Sequence, residues 1–214
     1  MTQESDTPRA WQRLLSGRRL NLLDPSPMDI EIEDIAHGLA RVARWNGQTT
    51  GEFAFSVAQH SLLVEEVFRS AKPSATSADC LAALLHDAPE YVIGDIISPF
   101  KGAIGADYKG VEAALQTAIH IRFGLPAILA KSLKDGIKMA DRVAAYSEAV
   151  DLAGFDPKEA RRILGYRRRE KVGPLIALPP TDAKARFLDR FTDLMTQRDN
   201  ESQRKTAIGK RRVG

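Results

Sequence analysis

A His-Asp pair, His86 and Asp87, stands at the end of an apolar run that is typical of a helix. Pro89 and a further carboxylate, Glu90, follow within three residues. Neighbouring helical residues point about 100° apart, but a long imidazole and a short carboxylate can still converge on one ion beyond a helix end. Two ligands do not hold a catalytic metal, so this stretch predicts further ligands elsewhere in the chain.

Two more candidate ligands occur in apolar surroundings. His60 lies in the segment 56–64, and Asp141 lies in the segment 137–144. An unpaired charge among such neighbours would be costly, and a metal ion shared with the His-Asp pair would explain all four residues. Two imidazoles and two carboxylates suit one divalent transition metal (Mn²⁺, Co²⁺, Fe²⁺, Ni²⁺ or Zn²⁺) better than Ca²⁺. The alternative is that both histidines are core residues with local partners.

One His, a His-Asp pair and a later Asp form an arrangement that resembles the HD-domain metal-dependent phosphohydrolases. The similarity extends to the branch that contains the bacterial 5′-deoxynucleotidases and the phage dATP triphosphohydrolases. It is carried by an Arg-Trp pair at 44–45 and by the segments 56–64, 84–101 and 138–149. The resemblance covers roughly residues 30 to 152 and implies an all-α fold, a single HD-domain helical bundle around a metal site.

The resemblance also implies two residues with catalytic roles. In the similar deoxynucleotidases, the glutamate at the position of Glu90 orients or activates the attacking water. Asp95 matches a position near the sugar and the leaving oxygen, where it would bind a hydroxyl or deliver a proton. The alternatives are that Glu90 caps its short helix and that Asp95 is a loop residue bonded to its own backbone.

Arg44, Trp45 and Lys101 are the candidate substrate-binding residues. A phosphoryl group needs cationic donors, and the fork of an arginine matches it well. Trp45 offers a flat apolar surface on which a base or a sugar could stack. The alternatives are a helix C-terminal charge for Arg44 and a buried core position for Trp45.

The motif predicts a metal-dependent phosphohydrolase that acts on nucleotides. We expect a 5′-deoxynucleotidase that hydrolyses deoxynucleoside monophosphates to deoxynucleoside and phosphate. One alternative is a triphosphohydrolase that releases tripolyphosphate from dNTPs, because both reactions use the same ligands. A second alternative is a non-catalytic, metal-stabilised module that binds a nucleotide or a protein partner. Enzymes of the superfamily with two metals use additional histidines between the pair and the last Asp, and only His120 lies there, so we expect one metal.

The composition of the chain limits the classes of protein and of binding site to which it can belong. The single cysteine, Cys80, excludes an intramolecular disulfide framework and a Cys-rich zinc site. We expect a cytoplasmic protein, because no apolar run reaches the roughly 20 residues of a membrane span and the N-terminus lacks a signal peptide. Residues 200–214 contribute +4 to a net charge of +3, so the basicity is mostly a property of the tail. We therefore do not expect nucleic-acid binding, whereas a homodimer is compatible with the amphipathic helices.

The predicted organisation has three parts. Residues 1–29 are an N-terminal extension, partly disordered; residues 30–198 form the helical bundle; residues 199–214 are a basic disordered tail. No strand is predicted, and residues 10–15 are assigned a short helical turn. The predicted helices cover residues 31–44, 56–70, 76–87, 107–122, 127–153, 156–164 and 182–197, with a short helix after Pro89.

Overall fold

The computed structural model describes residues 10–97, 106–165 and 173–211. These residues are mostly helical and include one small two-stranded sheet, so the prediction of an all-α fold is confirmed at this level. The helices are α1 (Ile32–Leu39), α2 (Val57–Ala71), α3 (Ser77–Leu84), α4 (Glu90–Ile93), α5 (Ala106–Arg122), α6 (Lys131–Asp151), α7 (Pro157–Leu164) and α8 (Pro180–Arg211). Within the described ranges, no helix is both long and apolar enough to cross a membrane.

The N-terminal extension contains a β-hairpin, so the helical turn predicted for residues 10–15 is wrong. Strands β1 (Trp11–Arg13) and β2 (Arg19–Asn21) pair in antiparallel register. Leu20 is fully buried, which joins the hairpin to the core of the bundle. Strands of three residues are too short for an alternating pattern to appear in the sequence. Residues 1–9, where disorder was predicted, lie outside the described ranges.

Helix α1 is shorter than predicted and ends at Leu39 rather than at Arg44. Gly38 packs closely against the next layer, since a Cβ atom there would lie 2.7 Å from the carbonyl oxygen of Tyr91. Beyond the helix, Ala43 forms an isolated bridge with Ser56, and Arg44–Gly47 forms a 3₁₀ turn. The interpretation of Arg44 as a helix C-terminal charge is therefore wrong, because the chain has already left the helix.

Side-chain caps fix where α2 and α3 begin. The side chain of Ser56 accepts a hydrogen bond from the backbone of Gln59 at the start of α2. Thr76 and Asp79 form a reciprocal capping box at the start of α3. This helix ends at Leu84 rather than at Asp87, so the His-Asp pair lies in the turn between α3 and α4.

The pairing of α2 with α6 brings two predicted ligands together. Gly136 lies inside an uninterrupted α6, which begins at Lys131 rather than at residue 127. A Cβ atom on Gly136 would approach the ring of Phe68 to 3.2 Å, so glycine allows the two helices to pack closely. This close packing positions His60 on α2 beside Asp141 on α6.

Helix α8 is twice as long as the predicted helix over residues 182–197. It continues to Arg211, so the prediction of disorder from residue 199 is wrong as far as the helix extends. Its second half is tied to the bundle by Glu201, which accepts hydrogen bonds from the backbone and hydroxyl of Ser77. Arg198 donates to the carbonyl oxygen of Phe123 on the other side. These contacts link α8 to α3 and to the end of α5.

Candidate metal centre

His60 occupies the centre of the candidate site. It lies one turn into α2 and is fully buried. Its Nδ1 atom lies 2.5 Å from Oε1 of Glu148. Because an ionised carboxylate can only accept, Nδ1 carries a proton. In the neutral imidazole, which is the form that binds a metal, Nε2 is then the nitrogen with the lone pair. Nε2 faces Oδ1 of Asp141 at 3.3 Å and Oδ2 of Asp87 at 3.5 Å and makes a hydrogen bond to neither.

His86 is oriented in the same way from the opposite side. Its Nδ1 atom donates to the backbone carbonyl of Ala83 at 2.9 Å, which again leaves Nε2 as the free ring nitrogen. That atom is buried without a hydrogen bond and lies 3.1 Å from Oδ2 of Asp87. The two imidazole rings are 5.3 Å apart between centroids.

These atoms fit a divalent transition metal. Ligand atoms of His60, His86 and Asp141 all lie within 4.8 Å of one another. A carboxylate oxygen of Asp87 approaches both free imidazole nitrogens, so the structure brings the four predicted ligands together. Two buried ring nitrogens without hydrogen bonds would be costly in a purely structural cluster. Neutral imidazoles beside carboxylates are the donors that Zn²⁺, Mn²⁺ and similar ions take.

The charges at the site match that assignment. Burial raises the pKa of Asp87, but the neighbouring His86 and His60 lower it well below its usual range. Burial likewise raises the pKa of Asp141, and His60 lowers it below its ordinary value. Both carboxylates are therefore ionised at neutral pH, as metal ligands must be.

Glu148 is a residue of the site that the sequence interpretation missed. It lies seven residues after Asp141 on α6, two turns along the same face, and is fully buried. Its Oε2 atom accepts hydrogen bonds from Nε of Arg44 at 3.3 Å and from the indole of Trp45 at 3.0 Å. Burial raises the pKa of Glu148, but His60 and Arg44 lower it to about 2. The seven-residue spacing of two carboxylates on one face of an amphipathic helix was the available signal.

Two of the predicted substrate-binding residues, Arg44 and Trp45, contact Glu148 next to the ligands. Arg44 bridges Glu148 and Asp95, donating to Oδ2 of Asp95 at 2.8 Å. Burial lowers the pKa of Arg44, but these carboxylates raise it. Trp45 is half-buried, and its ring centroid lies 5.6 Å from that of Phe155. Lys101 lies outside the described residues.

A cavity of about 300 Å³ opens beside the ligands. Glu90, the predicted catalytic residue, is buried and lines the cavity together with the His-Asp pair. The facing wall is α5, which contributes Lys109, Glu112 and Gln116. Lys109 is an exposed cation that the sequence interpretation did not single out, because a lysine on an amphipathic helix is ordinary. His120 is buried behind this wall, with Nε2 2.7 Å from the amide nitrogen of Gln116, and is not part of the ligand cluster.

Two proteins resemble the chain over most of its length. An uncharacterized protein of Rhodobacter capsulatus is 60% identical over 189 residues, which cover 87% of this chain and 96% of that protein. The uncharacterized protein YfdR of Escherichia coli is 31% identical over 166 residues, which cover 78% of this chain and 85% of YfdR. The chain therefore belongs to the family of these two proteins. No protein-family model matches the chain.

Proposed function

We propose that this protein is a metal-dependent phosphohydrolase that converts deoxynucleoside monophosphates to deoxynucleoside and phosphate. The observation that carries the proposal is the pair of buried imidazole nitrogens that face two carboxylates without hydrogen bonds. A cavity lined by a further carboxylate and a cation lies next to them. The choice of nucleotides rests on the resemblance of residues 44–45, 56–64, 84–101 and 138–149 to the deoxynucleotidase branch.

His60, His86, Asp87 and Asp141 would hold the metal. When bound, a divalent ion supplies Lewis acidity for a water molecule and for a phosphoryl oxygen. Glu90 takes the proton of the attacking water, since it is the buried carboxylate that shares the cavity with the ligands. Water adds to phosphorus, the bond from phosphorus to the 5′ oxygen breaks, and the leaving oxygen takes the proton that Glu90 received from the water.

Lys109 and Arg44 supply positive charge on two sides of the substrate. Lys109 reaches the cavity from α5 and would contact the phosphate. Arg44 is held by Glu148 and Asp95, so its direction is fixed before a substrate arrives. Because Asp95 accepts from Arg44, we assign it to orienting Arg44 and a sugar hydroxyl rather than to proton delivery. Trp45 would wall off the sugar or the base, and Lys101 remains a predicted phosphate contact.

Two alternative functions remain as competing hypotheses. A dNTP triphosphohydrolase would need several cations along the phosphate chain, whereas Lys109 is the one cation among the described residues that line the cavity. About 300 Å³ is also at the lower end of the volumes of small-molecule sites. A non-catalytic binding module would use the metal only for stability and would not need a carboxylate at position 90. These three considerations favour the monophosphatase.

The test is product release by metal-free protein reloaded separately with Mn²⁺, Co²⁺ or Zn²⁺. Substrates are deoxy- and ribonucleoside mono- and triphosphates. We expect free phosphate from dNMPs, loss of turnover in Glu90→Gln with metal binding retained, and loss of both in Asp141→Ala. Asp135→Ala is the matched control, because Asp135 lies on the same helix, is exposed and pairs with Lys131. Tripolyphosphate from dNTPs would select the triphosphohydrolase, and metal binding without turnover on any substrate would contradict the phosphohydrolase proposal.

A further inference from the structure

We propose that Glu148 is a positioning residue that couples the metal ligand His60 to the neighbouring pair Arg44 and Trp45. The inference rests on the metal centre of the proposed function and not on the identity of the substrate. Glu148 does not enter the ligand cluster itself. Its two carboxylate oxygens instead serve opposite sides of the site, one towards the histidine and one towards the Arg-Trp pair.

The histidine side fixes which ring nitrogen faces the metal. Oε1 of Glu148 accepts from Nδ1 of His60, and both side chains are completely buried. With the proton of the neutral ring held at Nδ1, Nε2 is the nitrogen that faces Asp87 and Asp141 and is available to a metal. A carboxylate behind a ligating imidazole also raises its basicity and thereby strengthens the bond to the metal.

The other side gathers two donors on one oxygen. Oε2 of Glu148 accepts from the guanidinium of Arg44 and from the indole of Trp45. A buried carboxylate with three donors and a compensating positive charge is fully satisfied, so it can hold its neighbours in one arrangement. Since Glu148 and Asp141 lie two turns apart on α6, one helix supplies both a ligand and the group that orients another ligand.

Backbone strain next to Glu148 supports the same conclusion. Trp45 has φ 56° and ψ 28°, and Asn46 has φ 51° and ψ 32°. A left-handed conformation is uncommon for a bulky side chain such as tryptophan and persists only where surrounding contacts hold it. The contacts that hold Trp45 include the hydrogen bond to Glu148 and the packing against Phe155. The strained turn is therefore part of the arrangement that Glu148 organises.

The variant Glu148→Gln tests the coupling because it preserves size and removes the charge. An amide group offers one acceptor and two donors, so it cannot accept from His60 and from the Arg-Trp pair at the same time. We expect zinc affinity, measured by competition with a chromogenic chelator, to fall by roughly 10- to 100-fold. Glu65→Gln is the matched control, since Glu65 is also a buried glutamate bonded to an arginine but lies outside the ligand cluster.

A second readout follows the opposite side of the site. The protein has two tryptophans, so Trp11→Phe leaves Trp45 as the single indole. In that background we expect zinc binding to shift the fluorescence of Trp45. The additional change Glu148→Gln should remove this shift at saturating zinc. The proposal would be overturned if Glu148→Gln bound zinc within about threefold of the parent affinity, because we expect a loss of roughly 10- to 100-fold. A retained fluorescence shift in the charge-removed variant would do the same.

A second variant tests the coupling if Glu148→Gln does not fold. If Glu148→Gln does not fold by circular dichroism, Trp45→Phe replaces it, because that change removes one donor and keeps the aromatic ring. Coupling predicts weaker zinc binding in Trp45→Phe, and an unchanged affinity there would overturn it. Neither measurement needs turnover, so inactivity of the parent protein with Mn²⁺, Co²⁺ and Zn²⁺ alike would refute the phosphohydrolase proposal and leave this inference standing.

Discussion

Helix α2 carries two buried acid–base clusters, and only one of them is complete without a ligand. Glu65 is bonded to Arg190 of α8 through two hydrogen bonds of 2.6 and 3.0 Å. The pair contains one acid and one base, and each group satisfies the other. Five residues earlier on the same helix, His60 has one nitrogen bonded to Glu148 and the other without a hydrogen bond among carboxylates.

This difference in hydrogen bonding distinguishes a structural ion pair, Glu65 with Arg190, from a site whose polar atoms are positioned for a ligand. Both clusters perturb the pKa values of their members, so a shifted pKa alone would not distinguish them. What distinguishes the cluster around His60 is the pair of buried imidazole nitrogens that make no hydrogen bond in the described part of the chain. The following predictions test whether this contrast is real.

The largest expected effect is the loss of metal binding in His60→Ala or Asp141→Ala. Each variant removes one ligand, and we expect zinc affinity to fall by more than about 100-fold, beyond the range typical of outer residues. Isothermal titration calorimetry on the metal-free proteins measures this. Asp135→Ala should bind zinc like the parent, and zinc binding that survives in both ligand variants would remove the distinction between the two clusters.

Breaking the other cluster should change stability and leave the metal centre intact. Arg190→Ala leaves Glu65 buried without its main partner, which we expect to lower the free energy of unfolding by roughly 3 kcal/mol or more. Chemical denaturation of the metal-free protein measures this. Zinc affinity should stay at the parent value as long as the variant is folded. A matching loss of zinc affinity would mean that the two ends of α2 do not act independently.

The stability of the metal-free protein in acid should report on Glu148. Although burial raises its pKa, His60 and Arg44 hold it at about 2 against 4.5 for the free group. The unfolded chain binds this proton more readily, so the ionised carboxylate stabilises the fold above about pH 4.5 and the effect is lost as the pH falls towards 2. Glu148→Gln should lose stability on the order of 2–3 kcal/mol at neutral pH and decline less steeply below pH 4.5. Denaturation at a series of pH values measures this. If the free energy of unfolding changed with pH in the same way in the parent and in Glu148→Gln, the prediction would be contradicted.

Much of the candidate site was predictable because its residues occur in recognisable local contexts. His60 follows a serine N-cap by four residues, and the His-Asp pair ends an apolar run, so both positions could be read without knowing the fold. The ligands were brought together as predicted, although α3 ends before His86. Caps and amphipathic faces are local properties, and these were the parts of the fold that the sequence predicted correctly.

The parts that were missed depend on contacts between distant segments. Glu148 and Arg44 are 104 residues apart, and no local pattern joins them. The hairpin at 11–21 is held by the burial of Leu20 and by hydrogen bonds from Ser16 to Asp34, again across the chain. The end of α8 was predicted to be disordered because it is polar, whereas the bond between Glu201 and Ser77 fixes it to α3. The structure of such segments is determined by tertiary contacts rather than by the local secondary-structure propensities of their residues.

The smallest expected effect concerns Cys80, whose reactivity reports on the charge of the neighbouring Glu65. Cys80 is 3% exposed, and burial together with the nearby carboxylate of Glu65 raises the pKa of its thiol to about 11 from 9.0. At pH 8 this pKa leaves about 100-fold less thiolate than an ordinary thiol has. We therefore expect slow reaction with an aromatic disulfide reagent in the folded protein and faster reaction in Glu65→Gln, which removes the neighbouring charge. Glu148→Gln should react at the parent rate, because the carboxylate that it changes is bonded to His60 rather than to Cys80. Equal rates in the parent and in Glu65→Gln would show that burial alone protects the thiol and that the charge of Glu65 does not reach it.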